Sequence, residues 1–371
     1  MIKGKQIQPK AFVDKPVMNY RKLDALNQSM LKAFDTDPVR FYNQFKLGKT
    51  SRDRKNTALI IGDLVDFYVL ACKGSEEEFN TRFDEKFALF NGAKGSGQVF
   101  ILADYLFEET ENCLDENGRI TCSFETRFSA AISRIKNDSP PKYKGKSDVA
   151  ILEDFENNGK AYFDILIENI GKTVVDISLL DKARIVGNKL LHDPFTASLF
   201  RHDEKDYFTH FPIEWRYELG DNKSILCKSE VDMLIIDHEH RTIQPMDLKT
   251  TYDNESFDFM YIKNSYYLQN AFYDKAVKVW AAENDMTNFT VFPMQFVVGD
   301  TSSNNRRPLM YSTSSQDVLN GMYGFDFRGS HYRGVHELIM DIAWAEENDI
   351  WNCSKEAFEK KGQMKLNINY E

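Results

Sequence analysis

The sequence predicts a mixed α/β (α+β) fold: a mixed sheet flanked by helices, with a helical insertion. Three observations carry this. An apolar stretch of helical length, ALIIGDLVDFYVLA at 58–71, stands near the start. Three β-like runs follow at 207–218, 224–236 and 242–249, and residues 266–276 then have helical character. A last apolar run, FTVFPMQFVV at 289–298, reads as another strand. The order is therefore helix, three antiparallel-compatible strands, helix, strand, or αβββαβ.

The N-terminal stretch 20–45 predicts two short helices. Asn27 or Ser29 is placed to cap the first, and Asp35 to Pro38 mark the junction. Asp63 and Asp66 interrupt the apolar 58–71 helix, and a carboxylate in such a run needs a partner. Residues 73–170 are less informative. KGSEEEF is a solvated charge run, 98–136 looks mostly helical, and KNDSPPKYKGKSD is a loop by composition. The glycine-rich NGAKGSGQ lacks the spacing of a phosphate-binding loop.

Residues 177–200 predict an amphipathic helix, a break at Asp193-Pro194 and a further turn, with His192 near the helix end. In 207–218 Glu214 stands among Phe211, Ile213 and Trp215. Gly220-Asp221-Asn222 turns the chain into the next strand. The polar link Asp237 to Arg241 predicts a hairpin between 224–236 and 242–249. Its H-x-H, His238 and His240, has no third ligand nearby to make a zinc site. Residues 299–308 read as a polar loop carrying Arg306 and Arg307, and 315–350 as helical with Leu338 and Trp344 in the core.

Side chains alternate along a strand, so Asp247 and Lys249 share a face. A turn centred on Glu239 and His240 sets Asp232 nearly opposite Asp247. Two carboxylates and an ammonium thus meet among apolar neighbours, where they must pair or bind a metal. Hard oxygen donors suit Mg²⁺ or Mn²⁺, and a lysine beside the ion orients or activates a water. The same D-x-K also describes a salt-bridged hairpin end. On the following helix Gln269 and Tyr273, four apart, project from one face and suit contact with a phosphate backbone.

Asp232, then Asp247-Leu248-Lys249, then Gln269-x-x-x-Tyr273 resembles the PD-(D/E)xK nuclease superfamily. Within it the pattern is similar to the RecB and λ-exonuclease-like group, and most of all to RecE-type exodeoxyribonuclease VIII, a phage recombination enzyme. One departure is that Val231, not proline, precedes Asp232. The resemblance implies a restriction-endonuclease-like core over 58–298 with an insertion at about 80–170. Residues 1–57 would be an N-terminal helical segment and 299–371 a C-terminal helical extension. It implies Asp232, Asp247 and Lys249 as catalytic groups. Asp232, Asp247 and the Leu248 carbonyl would hold Mg²⁺, with Glu214 and Asp66 as further ligands; Asp66 falls where the family has histidine. Gln269, Tyr273 and, at a terminal phosphate, Ser29 would bind substrate.

The implied activity is Mg²⁺-dependent degradation of linear double-stranded DNA from its ends, 5′ to 3′, with a single-strand annealing protein as partner and a ring-shaped homo-oligomer. Alternatives are a catalytically silent DNA-end-binding module and a sequence-specific endonuclease of the same fold.

Composition bounds this reading. The chain has 371 residues, 42% hydrophobic and 28% charged, which fits a globular protein with a sizeable core. No apolar run reaches the ~20 residues of a membrane span, and residues 1–16 lack the apolar core of a signal peptide, so the expected location is cytoplasmic. The net charge of −10 argues against loose coating of DNA and leaves room only for a local basic groove. Five cysteines without C-x-x-C spacing indicate neither a zinc site nor a disulfide framework. Some nucleases of the RecB-like group that the chain resembles hold an iron–sulfur cluster with a C-terminal group of three cysteines; Cys353 stands alone there, so no cluster is expected.

Overall fold

The computed structural model describes residues 23–48, 57–92, 97–138, 141–200, 206–304 and 306–364. The readings of residues 1–16 and of the centre of NGAKGSGQ fall outside them. The chain divides into two compact units, one of residues 1–51 and 189–371, the other of 52–188.

The first unit begins with α1 (Gln28–Thr36), capped by Asn27, whose side chain accepts from the Met30 N–H. Asp37 then caps α2 (Pro38–Phe41), with Pro38 at the first helical position, where its missing N–H costs nothing.

The second unit opens with α3 (Thr57–Asp66), extended by a wider turn to Ala71. There follow α4 (Glu76–Lys86), β1 (Phe87–Phe90), α5 (Gln98–Asn112), α6 (Phe124–Lys136), α7 (Asp148–Asp154), α8 (Lys160–Glu168), β2 (Thr173–Asp176) and α9 (Ile177–His192), whose last four residues fall in the first unit. β1 and β2 form a parallel pair that the sequence did not announce. Around them Leu102, Leu106, Ile135, Ile151, Phe155 and Tyr162 form a separate core. Contrary to the cysteine reading, Cys113 and Cys122 are disulfide-bonded. The chain reverses through Asp115–Gly118 and closes with a bridge between Leu114 and Ile120, which brings the two Cα atoms within 5.7 Å.

The first unit resumes with the sheet: β3 (Asp206–Gly220), β4 (Lys223–Asp237) and β5 (Thr242–Thr251). Helices α10 (Phe257–Lys263) and α11 (Tyr266–Glu283) cross over to β6 (Thr290–Val291), β7 (Gln295–Asp300) and β8 (Leu309–Ser312). The spatial order is β3-β4-β5-β7-β8, antiparallel except for β5 with β7, while β6 runs parallel beside β5. The expected strand at 289–298 is thus split. Pro293 has no N–H for the ladder, and its carbonyl accepts from Gln244 instead.

The expected helix at 315–350 is also interrupted. α12 (Ser315–Tyr323) and α13 (Val335–Asn348) flank a small hairpin of β9 (Phe325–Phe327) and β10 (Ser330–Tyr332). A short α14 (Lys355–Glu359) follows. No helix among the described residues is long and apolar enough to cross a membrane.

The centre of this unit is α11, buried on nearly every side. Phe272 packs on Trp215 and Trp280 on Phe211, with ring centroids 4.9 and 5.1 Å apart, which fixes α11 to the sheet. α1 and α13 belong to the same apolar core through Leu31, Phe34, Leu338 and Ile339. Leu338 is fully buried, and Trp344 packs half-buried against the cluster.

α12 lies so close to α11 that a Cβ at Gly321 would stand 2.2 Å from the Tyr267 carbonyl oxygen and 2.9 Å from the Ala271 Cβ. Alanine in an ordinary helix stabilises by about 1 kcal/mol over glycine. Gly321→Ala is expected to do the reverse and cost about 2 kcal/mol, since backbone cannot yield as a side chain can. A urea midpoint that stays level or rises would contradict this packing.

Candidate active site

The site forms where the hairpin opens. The β4–β5 ladder runs from Asp237↔Thr242 to Met233↔Met246 and stops there. The next pair in register is Asp232 and Asp247. Here the strands part, and the Asp232 carboxylate replaces the lost main-chain acceptor: its Oδ2 accepts from the Leu248 N–H at 2.9 Å. The neighbouring β3 bends at the same level, because His210, opposite Asp232, has φ of 49°. On β4's freed edge the N-terminal segment takes over. Leu26 N–H donates to the Leu226 carbonyl and Lys228 N–H to the Leu26 carbonyl.

Asp247 is fully buried, 0% exposed, in the middle of β5. A bare carboxylate there would be costly. One oxygen accepts from Lys249 Nζ in a very short ion pair, and the other accepts from Gln269 Nε2 of α11 at 2.5 Å. Lys249 feels opposing influences. Burial pulls its pKa down, but the carboxylates of Asp247 and Asp232, aided by Tyr266, outweigh it and lift the pKa to about 12. The amine is therefore a cation held between two acids.

Lys249 Nζ also sits 5.0 Å from the centre of the Tyr266 ring, and a second lysine shares that ring. Lys32 of α1 places its Nζ 4.9 Å from the same centroid. Burial, and then the charge of Lys249, lower its pKa to about 7 against the pull of Asp247. Among the described residues Lys32 forms no ion pair. Nothing in the local sequence marks it, since it is one lysine in an amphipathic helix; only the fold brings it to Tyr266.

The other expected residues fall as follows. Leu248 is buried between the two halves of the motif. Gln269 is in the site, but its amide is engaged with Asp247 rather than offered to a substrate. Tyr273, a turn further along α11, is buried in the apolar core. Ser29 is exposed in the first turn of α1, where its Oγ accepts from Gln28; the capping role belongs to Asn27.

Glu214 is not brought to the carboxylate pair. It stands opposite Lys228 in β4, four residues from Asp232, or roughly 13 Å along the strand. There it lines a cavity of about 750 Å³ with Trp215, Tyr217, Lys275 and Glu283. Asp66 closes α3 of the second unit. His238 pairs with Asp206 and His240 with Asp237, so each ring of the hairpin tip has its own carboxylate. Arg306 is paired with Asp253, and Arg307 with Asp193 at 2.9 Å, which makes both poor phosphate contacts.

The fit of a divalent ion can be judged from the donors. Among the described residues no three His, Cys, Asp or Glu side chains are grouped to hold a metal. The carboxylates of Asp232 and Asp247 remain, and Mg²⁺ is commonly held by one or two carboxylates with waters completing the shell. The donor set fits Mg²⁺ or Mn²⁺ on those terms.

The depressed pKa of Lys32 has a consequence for stability. The folded state disfavours its charged form, so it destabilises fully below about pH 7 and progressively less as pH rises towards the unfolded value of 10.5. Lys32→Met is expected to raise stability by on the order of 1 to 2 kcal/mol at pH 6, allowing for residual exposure, with the gain fading by pH 10. Urea denaturation across that range tests this; an equal gain at every pH would contradict it. No protein-family model and no curated protein matches this sequence.

Proposed function

We propose that the protein is a metal-dependent deoxyribonuclease of the PD-(D/E)xK kind, acting as an exonuclease on linear duplex DNA. The observation that carries this is the meeting of Asp232, Asp247 and Lys249 at a parted strand pair. The sheet order, with three antiparallel strands, a helical crossover and a parallel strand beside β5, is compatible with the αβββαβ core of that superfamily.

Asp232, Asp247 and the Leu248 carbonyl would hold Mg²⁺ or Mn²⁺, which when bound supplies a Lewis acid for the phosphoryl oxygen and an acidified water. The chain's own groups do the rest. Lys249, fixed as a cation, balances charge that builds on the phosphate oxygens. Gln269 holds Asp247 in one orientation. Lys32, which forms no ion pair among the described residues, is suited to take a phosphate as its counter-ion, which would also offset the cost of its burial. Polarity from 5′ to 3′, an annealing partner and ring assembly come from the family resemblance alone.

A silent end-binding fold is favoured by one observation: both oxygens of Asp247 already accept hydrogen bonds inside the protein. One experiment separates the readings. Linear DNA labelled separately at each end is incubated with Mg²⁺, with EDTA, and with Asp247→Ala, alongside closed circular DNA. The expected result is digestion of linear DNA that EDTA abolishes. Asp247→Ala should lower the rate at least ~10³-fold while binding persists. Cutting of circles would indicate an endonuclease, and binding without digestion the silent module. Undiminished digestion by Asp247→Ala would refute the site.

A further inference from the structure

The β9–β10 hairpin has no part in the site described above, and its base packs on Tyr267, the residue after Tyr266. Its register pairs Ser330 with Phe327, His331 with Asp326 and Tyr332 with Phe325, leaving Arg328 and Gly329 as a two-residue loop. Both have positive φ, 49° and 75°, which closes a tight hairpin turn matching the strand twist. The base is anchored by aromatic packing. Phe325 and Tyr332 stack at 5.2 Å, and both meet Tyr267 edge-on at 5.1 and 6.1 Å. Tyr267 directly follows Tyr266, whose ring carries Lys249 and Lys32. A second tether runs from the hairpin's foot: Arg333 pairs with Asp341 and reaches Asp35, one turn from Lys32 on α1.

The tip is dressed differently from its base. Phe327 is 40% exposed, and the Arg328 guanidinium lies 5.0 Å from its ring centre. Phe327 stands two residues along the strand from Phe325, about 7 Å, with its ring centre 6.4 Å from that of Tyr332. The acids that would repel DNA are partly answered. His331 bonds to Asp326 on one nitrogen and to Glu337 on the other, and these bonds raise its pKa, Asp326 first. An exposed aromatic ring with an arginine over it, at a tight turn, is a surface that a nucleobase can stack on and a phosphate can pair with.

We propose that Phe327 and Arg328 form a stacking platform for an unpaired base at the DNA end presented to the Asp232–Asp247–Lys249 site. This rests on the nuclease reading and adds to it the place where the strand is held beyond the reacting phosphate. Stacking tolerates any base, so the platform would give affinity for ends without preference for sequence.

The test uses the full chain with Phe327→Ala and Arg328→Ala combined, and Phe327→Trp as the conservative variant. Binding is read in EDTA by anisotropy, on duplexes whose terminal base is 2-aminopurine and left unpaired; digestion is read separately with Mg²⁺. The alanine variant is expected to bind about 5- to 150-fold more weakly (about 1–3 kcal/mol for a stacked base) and to lose the fluorescence change of the terminal base. Phe327→Trp should retain both, and the urea midpoint should not move in either. Wild-type digestion with equal binding and an equal fluorescence change in the alanine variant would overturn the platform and leave the nuclease reading intact. A wild type that neither binds nor digests DNA would overturn the nuclease reading itself.

Discussion

The first unit is arranged around one buried carboxylate. Asp247 has no access to water, so its charge is tolerable only because Lys249 and Gln269 meet it from two elements. That requirement links β5 to α11 more specifically than apolar packing does. Phe272 and Trp280 would hold α11 on the sheet in several nearby positions, whereas a hydrogen bond from Gln269 to Asp247 allows one. Breaking such a buried pair by removing one partner typically costs 3–5 kcal/mol, about as much as a large core residue, although the intact pair adds little net stability. The interaction therefore sets position more than it adds strength.

The same constraint explains why the strands part at Asp232. A continuous β4–β5 ladder past Met233 would leave Asp232 and Asp247 side by side as charged neighbours on one face, which like charges disfavour. Ending the ladder lets Asp232 turn to the Leu248 amide while Lys249 stands near both acids. The bend at His210 in β3 and the entry of Leu26 beside β4 accommodate the gap.

Much of this was legible. The hairpin followed from alternation and a polar tip, and counting back from the turn set Asp232 across from Asp247. The two short helices within 20–45 and their junction at Asp35 to Pro38 followed from capping chemistry. Less local features were hidden. FALF and TVVD are four residues each, too short to distinguish from helix ends, and FDF and SHY vanish inside a helical pattern. Alternation showed which strand Glu214 occupies but not how far along it the ladder would part, and that distance separates it from the acids. Lys32 required tertiary structure, because its significance lies in a tyrosine from a distant helix. The cysteine rule failed at Cys113 and Cys122 because it counts spacing and not the turn between them.

The charge distribution bears on how an acidic chain could engage a polyanion. With a net charge of −10, long-range attraction is absent, and at 0.15 M salt a field beyond about 8 Å is screened in any case. Arg306 and Arg307, the most conspicuous basic pair in the sequence, are consumed by Asp253 and Asp193. Near the carboxylates stand two ammonium groups, one bound to Asp247 and one with no ion pair among the described residues, both against the Tyr266 ring. A partner held this way would have to come within contact distance, at a position where burial strengthens each charge interaction. A sparse, desolvated pair of cations favours a single phosphate at one place over loose adhesion along a duplex. Lys32 is kept there although its own charge is disfavoured in the folded state, and an anion is what would reverse that preference.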